Sequence, residues 1–560
     1  MKTIKKLLFD NFIFLITFFY ALIAFFNLGN FKSPKSFWLG HKNSSVLIDF
    51  GEEKKFSCIQ IFPGVKHNKK LKIYAYDNNF SDFKEKLNIE LKNVSDVFTW
   101  REFDFKINSR FIKILFLDNE TYINEIAFRS FDNKILEPKL IKDDIGKELF
   151  DEQNLVPEYS DFKNSMYFDE VYHVRTAYEF LNSLEVYEVT HPPLGKNIIA
   201  LGIKIFGLNP FGWRFMGTLC GVIMIPVFYL LSKKIFKNKN LAIFSCLLFC
   251  FEFMHFVQTR IATVDSYCVL FILLSSIFVY DFFSIDNLKD ISNRKIIKIF
   301  FLISFFISLS CAVKWQGFYT LLGIVITLLL NIISQSSFLK QNQIYKIINL
   351  FLISFILISI PVYLSSYFLY LNTPSGIHGL RDILNNQNYM YSYHSKLIAD
   401  HPFGSRWWQW IFNLRPILFY NHEYSKNIRA GISCFMNPLI CYCGLISIFI
   451  IIFNLFSFNF NKNKIKFFIV INYLSQLVPW IFIKRLTFEY HYFPCTPFLI
   501  LSITEFIRDI KNKKTKKILS ITIIFLSFVL FIFFYSFLSG SPVSVKYTKF
   551  LSWFKTWQLT

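Results

Sequence analysis

Long apolar runs decide what this chain can fold into. Several reach the roughly 20 residues that a helix needs to cross about 30 Å of hydrocarbon. Of the 560 residues, 53% are apolar and 20% are aromatic, which is far above the composition of a soluble protein. The predicted spans are residues 7–26, 211–234, 241–256, 263–283, 297–313, 317–333, 347–370, 432–456, 466–483, 489–507 and 518–537. The sequence therefore predicts a polytopic α-helical membrane protein with about eleven transmembrane helices.

The lysine-rich loops indicate the orientation of these helices. The charged start Met1–Lys6, followed by an apolar run, has the order of a signal peptide. The run is long and lacks a small-residue cleavage site, so we interpret residues 1–30 as a retained first helix. With the N-terminus inside, the Lys-rich loops fall on the cytoplasmic side, as the positive-inside rule requires; they are residues 233–239, 289–298, 340–346, 462–466 and 508–517.

This topology places two long segments, 28–210 and 371–431, outside the membrane together with the tail 541–560. We expect function there and at the outer ends of the helices in the blocks 211–370 and 432–540. The formal net charge of +22 is explained by the same loop pattern, which excludes nucleic acid as the expected partner. The ten cysteines lack CxxC spacing and are interpreted as small buried apolar residues.

Residues 40–140 differ from the rest of the chain because they are polar, with short alternating runs. The predicted strands are Ser45–Phe50, Phe56–Phe62, Leu71–Tyr76, Val97–Phe105, Phe111–Leu117 and Tyr122–Arg129. Turn signals such as Pro63-Gly64 separate them. We predict a β-sandwich inserted in the first outer loop, similar to discoidin-like jelly rolls. Carbohydrate binding and a structural spacer role both remain open for it.

The most informative segment is Met166-Tyr-Phe-Asp-Glu-Val-Tyr-His173, followed by Thr190-His-Pro-Pro-Leu-Gly-Lys196. Adjacent Asp169 and Glu170 lie in the predicted outer segment 160–210, where one carboxylate can accept a proton while the other binds a cation or a hydrogen-bond donor. The structural alternative is a pair of charges at a helix N-terminus, where the helix dipole favours negative charge.

Three motifs in this order resemble the protein O-mannosyltransferase family, whose fold is the GT-C glycosyltransferase fold. They are Asp169-Glu170, His191-Pro-Pro-Leu-Gly-Lys196 and Phe211-Gly-Trp-Arg-Phe215. The similarity continues at Phe253–Tyr267, at Lys314-Trp315 and at Glu489-Tyr-His-Tyr-Phe-Pro494, and it covers residues 1–30 and 160–540. The later outer loop lacks a β-trefoil domain of the eukaryotic type, so the chain looks more like bacterial members.

The resemblance implies transfer of mannose from a polyprenyl-phosphate mannose to a Ser or Thr hydroxyl, with inversion at the anomeric carbon and no nucleotide sugar. Asp169 would then be the general base, and Glu170 its supporting partner. An inverting displacement needs one carboxylate on the acceptor side, while the leaving phosphate needs cations rather than an acid. The resemblance leaves the acceptor, protein or glycan, and a divalent cation (Mg²⁺ or Mn²⁺) open.

Several cations fall near outer span ends and are candidates for the lipid phosphate: Arg214, Arg260, Lys314, Lys484 and Arg485. An Arg fork suits phosphate oxygens, and ionisable groups near a bilayer are costly enough to suggest a function or a partner. Snorkelling to the interface is the alternative for each of them alone. Arg214 and Arg485 are the leading candidates.

Further substrate contacts are expected at His191, Lys196, Asp265 and His491. A purely structural turn at the Pro-Pro motif, a structural pair between Asp265 and Arg260, and an aromatic belt around His491 are the alternatives. In the second outer loop, a histidine and tryptophan set that includes His394, His401 and Trp410 suits either sugar stacking or membrane anchoring.

Other functions fit parts of the sequence. A transferase of the same fold, acting on a lipid or a cell-wall glycan, would have a similar donor site. A transporter would also have many spans, but the chain shows no internal repeat or paired broken helices. A non-catalytic binding protein would leave the outer carboxylates and cations without a purpose. We therefore expect a glycosyltransferase of the cell membrane with its active site on the extracytoplasmic face.

Overall fold

The computed structural model describes residues 11–76, 83–375, 378–455 and 460–560. They form two compact units. The sheet unit comprises Asn27–Asn182 and Ala200–Arg214, and the helical unit comprises the residues up to Phe26, Ser183–Ile199 and Phe215–Thr560. The helices are α1 (Asn11–Phe25), α2 (Glu170–Leu181), α3 (Leu194–Phe206), α4 (Pro210–Phe236), α5 (Lys239–Cys250), α6 (Phe253–Gln258), α7 (Asp265–Phe283), α8 (Asn293–Val313), α9 (Gly317–Ser334), α10 (Gln341–Ser365), α11 (Leu380–Lys396), α12 (Trp407–Ile411), α13 (Pro438–Leu455), α14 (Phe460–Leu477), α15 (Thr496–Asp509), α16 (Lys513–Ser539) and α17 (Val545–Leu551).

The sheet unit contains eight strands joined by hydrogen bonds. They are β1 (Trp38–Gly40), β2 (Ser45–Pro63), β3 (Lys69–Tyr76), β4 (Phe83–Leu91), β5 (Arg101–Phe116), β6 (Thr121–Ser130), β7 (Ile135–Leu136) and β8 (Leu140–Ile141). The main path runs β1-β6-β2-β5-β3-β4, and the neighbours are antiparallel. The β-rich insertion predicted for residues 40–140 is thus confirmed, while the jelly-roll topology stays a prediction.

Two predicted breaks between strands are wrong. The runs Ser45–Phe50 and Phe56–Phe62 belong to one continuous strand, β2, and β5 likewise contains the run Phe111–Phe116 together with residues from Arg101 onward. β2 has an irregularity between Asp49 and Lys54, where Gly51 has φ of +79°. Such a bulge bends a strand without ending it, and the bend lets both halves of β2 contribute to one apolar core.

Eight helices of the described residues are long and apolar enough to cross a membrane, by length and composition. They are α4, α7, α8, α9, α10, α13, α14 and α16, with α10 and α14 extended by following turns. Two of the remaining predicted spans correspond to the shorter apolar helices α1 and α5. The predicted span 489–507 is a 3₁₀ segment, Glu489–Cys495, followed by α15. The count of eleven stays a prediction.

The helical unit has two polar ends. Loops predicted on the cytoplasmic side lie together at one end, and loops predicted on the outer side lie together at the other. Lys464 pairs with Asp286 at 2.9 Å, and Lys466 pairs with Asp509 at 2.9 Å, so three loops predicted inside contact one another. The first turns after α8 and α14 meet helix α11 around one cavity, described below. This grouping agrees with the predicted alternation of the helices.

A hairpin in the second outer loop was not expected from the sequence. Strands β9 (Ile417–Ser425) and β10 (Ile428–Cys434) pair with each other, and β10 also pairs with β11 (Val543–Ser544). The span predicted from residue 432 begins at Pro438 instead, because Ile432–Cys434 belong to β10. The tail packs beside this hairpin: Trp557 is 2% exposed and donates from Nε1 to the Asn413 carbonyl at 2.9 Å.

Candidate active site

Asp169 lies at the N-terminus of α2 in the sheet unit. Its backbone carbonyl accepts from the Tyr172 and His173 amides at 3.1 and 3.3 Å, but its side chain makes no capping hydrogen bond to the helix. Phe168 before it has φ of +50°, a left-handed conformation that is uncommon outside glycine. The Asp169 side chain is half-buried. The capping interpretation therefore holds for the backbone of Asp169 and not for its carboxylate.

Glu170 and Arg214 form a buried ion pair within the sheet unit. Nε of Arg214 donates to Oε1 of Glu170 at 2.7 Å, and Nη2 donates to Oε2 at 2.7 Å. Both side chains are 0% exposed. Glu170 also accepts from the Trp213 Nε1 at 3.3 Å and from the Tyr167 amide at 3.3 Å. A bidentate pair of this kind fixes the geometry of both partners.

The remaining donors of Arg214 bind backbone carbonyls. Nη1 donates to Leu28 and Phe162 at 2.9 and 2.5 Å, and Nη2 donates to Ser165 at 3.1 Å. A guanidinium has five N–H groups, and those of Arg214 all point at acceptors of the protein. The geometry therefore does not support Arg214 as a ligand of the lipid phosphate. Arg214, from the motif Phe211–Phe215, instead fixes the position of Glu170 and of the backbone at Phe162 and Ser165.

Lys196 has a similar structural position in the helical unit. Its ammonium pairs with the Glu188 carboxylate and donates to the carbonyls of Glu188 and His191 at 2.9 and 3.2 Å. Because Lys196 is 1% exposed and an ammonium has three donors, the contact to substrate expected for Lys196 is not supported by the geometry. The Lys196–Glu188 ion pair stabilises the turn that contains His191. Nδ1 of His191 lies 3.3 Å from Oε1 of Glu188.

His191 faces a cavity of about 220 Å³ in the helical unit, which we call the aromatic cavity. Two cationic side chains, Lys314 and Arg485, line it together with His191 and His394. Its walls also contain Trp315, Tyr319, Tyr391 and Trp480. Aromatic faces beside cations suit a ligand that carries a sugar ring and a phosphate.

The charge in the aromatic cavity comes from its lysine and arginine. Lys314 Nζ is 2.7 Å from Oδ1 of Asp265 and 5.3 Å from the Tyr490 ring centroid. Burial, with smaller effects of His191 and Arg485, lowers the pKa of His394 to about 4. Burial also lowers the pKa of His191, and the hydrogen bond to the Glu188 carboxylate opposes this fall. Both imidazoles are therefore neutral near pH 7, and their rings lie 5.3 Å apart.

The other predicted residues lie near this cavity without all lining it. Asp265 pairs with Lys314 at 2.7 Å, so the structural alternative for Asp265 has Lys314 as the partner in place of Arg260. Arg260 Nη2 donates to the Phe26 carbonyl at 3.0 Å, and its guanidinium stacks on Phe256. His491 is 2% exposed, and its ring packs between aromatic rings that include Trp480 at 4.5 Å. His491 therefore supports the cavity wall from behind.

Lys484 lines a second cavity, of about 350 Å³, which we call the cationic cavity. Arg485 lines this cavity as well as the aromatic one. Arg406 and Arg415 complete its cationic set. Arg415 and the wall residues Tyr319 and Trp480 were missed by sequence reasoning, because they belong to turns and helix ends whose convergence only the fold shows.

The divalent cation that the resemblance leaves open beside Asp169 and Glu170 stays a prediction. In the described part of the chain, the carboxylate group with metal-ligand spacing consists of Glu125, Asp151 and Glu152 in the sheet unit. Glu170 already accepts four hydrogen bonds, three of them from the Phe211–Phe215 motif.

All ten cysteines are free thiols, and Cys443 is the one that is only partly buried.

Two family models match the chain. Residues 159–374 match the model of dolichyl-phosphate-mannose-protein mannosyltransferase. Residues 379–557 match the model of the C-terminal four-transmembrane region of protein O-mannosyltransferase. Together these matches cover well over half of the sequence and include the Asp169 segment and both cavities.

Curated relatives and solved structures agree with the family models. The polyprenol-phosphate-mannose–protein mannosyltransferase of Mycolicibacterium smegmatis is 24% identical over 403 residues, which are 62% of this chain and 77% of that protein. The Mycobacterium tuberculosis protein of the same name is 24% identical over 302 residues, 45% of this chain and 57% of that protein. The donor-bound Pmt1–Pmt2 complex of S. cerevisiae superposes with a TM-score of 0.60 at 11% identity, over 70% of this chain and 88% of that one.

The structural similarity confirms the GT-C fold expected from the resemblance, and the sequence matches extend along the helical unit and the Asp169 segment. This chain belongs to the protein O-mannosyltransferase family.

Proposed function

We propose that this protein transfers mannose from polyprenyl-phosphate mannose to a Ser or Thr hydroxyl of a protein, on the extracytoplasmic face of the plasma membrane. The mycobacterial relatives are named polyprenol-phosphate-mannose–protein mannosyltransferases, and the family membership supports this donor and a protein acceptor for this chain. The observation that carries the proposal is the aromatic cavity, where Lys314 and Arg485 meet four aromatic walls. A sugar phosphate needs both of these features.

In the proposed reaction, the acceptor hydroxyl oxygen bonds to the anomeric carbon as the bond from that carbon to the phosphate oxygen breaks. Asp169 takes the hydroxyl proton, and the electron pair of the broken bond stays on the polyprenyl phosphate. The leaving phosphate gains negative charge, which Lys314 and Arg485 stabilise most strongly at that moment. Such stabilisation lowers the barrier of the chemical step itself.

Glu170 is a positioning residue in this scheme. It is fully buried in its pair with Arg214, so its oxygens are engaged and cannot act as a base. The pair holds the first turn of α2 and thereby the orientation of Asp169. His191 and His394, both neutral, offer a donor or an acceptor to sugar hydroxyls without adding charge.

The decisive experiment compares wild type with Asp169→Asn, purified in nanodiscs, using radiolabelled polyprenyl-phosphate mannose and secreted proteins of the host. We expect wild type to label protein, and the variant to lose about 10²–10⁴-fold in rate because general base catalysis contributes that much. Exposed Asp143, substituted to Asn, is the matched control and should keep full activity. Label in lipid or glycan instead of protein would refute the acceptor, and an unchanged rate in Asp169→Asn would refute the base.

A further inference from the structure

The cationic cavity holds more positive charge than the aromatic cavity. Arg406, Arg415, Lys484 and Arg485 line it, with Asp400 as the acidic residue on its wall. The hydrogen bonds of the three arginines go to backbone carbonyls: Arg406 to Lys484 at 3.1 Å, Arg415 to Pro402 at 2.6 Å and Arg485 to Leu486 at 3.2 Å. Across the described ranges, none of the four cations has a carboxylate in an ion pair.

The cavity has a fixed framework. The Ser405 amide donates to the Thr487 carbonyl at 2.8 Å, and the Thr487 hydroxyl donates to the Ser405 carbonyl at 2.6 Å. These bonds join the segment before α12 to the segment after α14, so the four cations face one space. Its lining is polar and contains no Trp, Tyr or Phe. The cavity therefore suits a compact anion, and its one aromatic lining residue is His401.

The two cavities differ in the anion that they can neutralise. In the aromatic cavity, Lys314 is balanced by Asp265, which leaves the charge of Arg485. That excess matches the donor, a phosphodiester with one negative charge. Transfer converts it into a phosphate monoester, whose second pKa is about 6, so that the product is close to a dianion at pH 7. The cationic cavity has the larger excess that a dianion requires.

We propose that the cationic cavity binds the phosphate monoester dianion of the polyprenyl phosphate left after sugar transfer. Arg485 lines both cavities, so the phosphate can pass from one to the other without losing this contact. Loss of the sugar removes the stacking interactions of the aromatic cavity, and the added charge favours the cationic one. The inference rests on the proposed function for the source of the ligand. The binding of a phosphate dianion by the four cations does not depend on that function.

The test measures binding without turnover. Asp169→Asn protein in phosphatidylcholine nanodiscs is titrated with a short-chain polyprenyl monophosphate and, separately, with polyprenyl-phosphate mannose. Adding Arg406→Gln or Arg415→Gln should weaken monophosphate binding about tenfold, the value of one charge-assisted hydrogen bond, and change mannose-donor binding less than about twofold. Arg381→Gln, which removes an exposed charge of the same outer loop, should change neither.

Equal weakening of both ligands, or no weakening of either, would overturn the proposal. Phosphatidic acid and inorganic phosphate carry the same dianion, so each is added as a competitor. Competition by phosphatidic acid as strong as that of the polyprenyl monophosphate would assign the cavity to bilayer headgroups instead. Because Arg406 is exposed, its substitution should change stability little, which thermal unfolding of the variant checks. If monophosphate binds in this way but the wild-type protein transfers no mannose, the proposed function is refuted and the anion site in the cationic cavity is not.

Discussion

The buried ion pair between Glu170 and Arg214 is expected to contribute strongly to the stability of this protein. Glu170→Gln leaves the Arg214 guanidinium charged and fully buried with half of its carboxylate contacts, which costs about 3–5 kcal/mol. We expect a marked fall in the unfolding temperature, followed by loss of activity. Arg110→Gln is the matched control, because it breaks an exposed pair with Asp49 in the same unit and should cost less than about 1 kcal/mol. Equal losses in the two variants would contradict the structural role of Glu170.

Lys314 is expected to act on the donor as well as on the fold, because it also forms a buried ion pair with Asp265. Lys314→Met keeps most of the side-chain volume but removes the charge that faces the phosphate, so kcat/KM should fall by about 10–10³-fold. Single-turnover transfer with saturating donor separates the chemical step from binding. Lys396→Met, at an exposed position at the end of α11, is the control and should behave like wild type. Because Asp265 loses its buried partner, stability should fall as well. An unchanged single-turnover rate in the folded variant would show that Lys314 serves the fold alone.

The residue types of the site were predictable, but their pairings were not. The sequence indicates that an Arg in the first turn of an apolar helix needs a purpose, and Arg214 was expected to bind phosphate. Its partner lies 44 residues earlier in the chain, and only the fold brings the two together. The same reason explains Asp265, which pairs with Lys314 across 49 residues instead of with nearby Arg260. Local spacing cannot distinguish a cation that holds the backbone from one that faces a ligand.

Strand β6 carries a titratable group that links pH to the stability of the sheet. Burial raises the pKa of Glu125 to about 8, while hydrogen bonds from Gln153 and from the Glu152 amide oppose the rise. The folded state therefore holds a proton between about pH 4.5 and pH 8 that the unfolded chain releases. The stability that this proton gives is present below pH 4.5 and is lost as the pH rises through about 8.

Glu125→Gln should remove this pH dependence, because an amide resembles the protonated carboxyl group. In EDTA, thermal unfolding of wild type should weaken between pH 6 and pH 8.5, and the variant should be the more stable protein at pH 8.5. The control is Asp104→Asn on strand β5, whose side chain is 86% exposed. A variant with the slope of wild type would show that Glu125 is ionised in the folded protein.

At the level of elements, hydropathy and alternation located most segments but misjudged where they end. The apolar run from residue 432 includes β10, since a short apolar strand and the start of a span look alike in composition. β2 reads as two strands because the polar residues around Gly51 form a bulge and not a turn. Both errors arise where tertiary pairing, which the sequence does not display, decides the local structure.

At the scale of the whole molecule, the two polar ends of the helical unit indicate which side of the membrane each end faces. One end contains the loops rich in lysine and the pairs Lys464–Asp286 and Lys466–Asp509, and the other contains both cavities. Lys and Arg are retained on the cytoplasmic side in membrane proteins, so the cavities should face outward. A donor delivered to the outer leaflet can then reach them.

Single cysteines test this orientation directly, because nine of the ten native thiols are buried and only Cys443 is partly exposed. Ser425→Cys lies at the exposed end of β9, and Asn287→Cys lies in the exposed loop between α7 and α8. On intact spheroplasts, a membrane-impermeant maleimide should label Ser425→Cys well above the parent protein and Asn287→Cys no more than the parent. Permeabilised cells should label both. The reverse pattern would place the cavities in the cytoplasm, where a transferase would meet nascent rather than exported proteins, and the proposed acceptors would have to change accordingly.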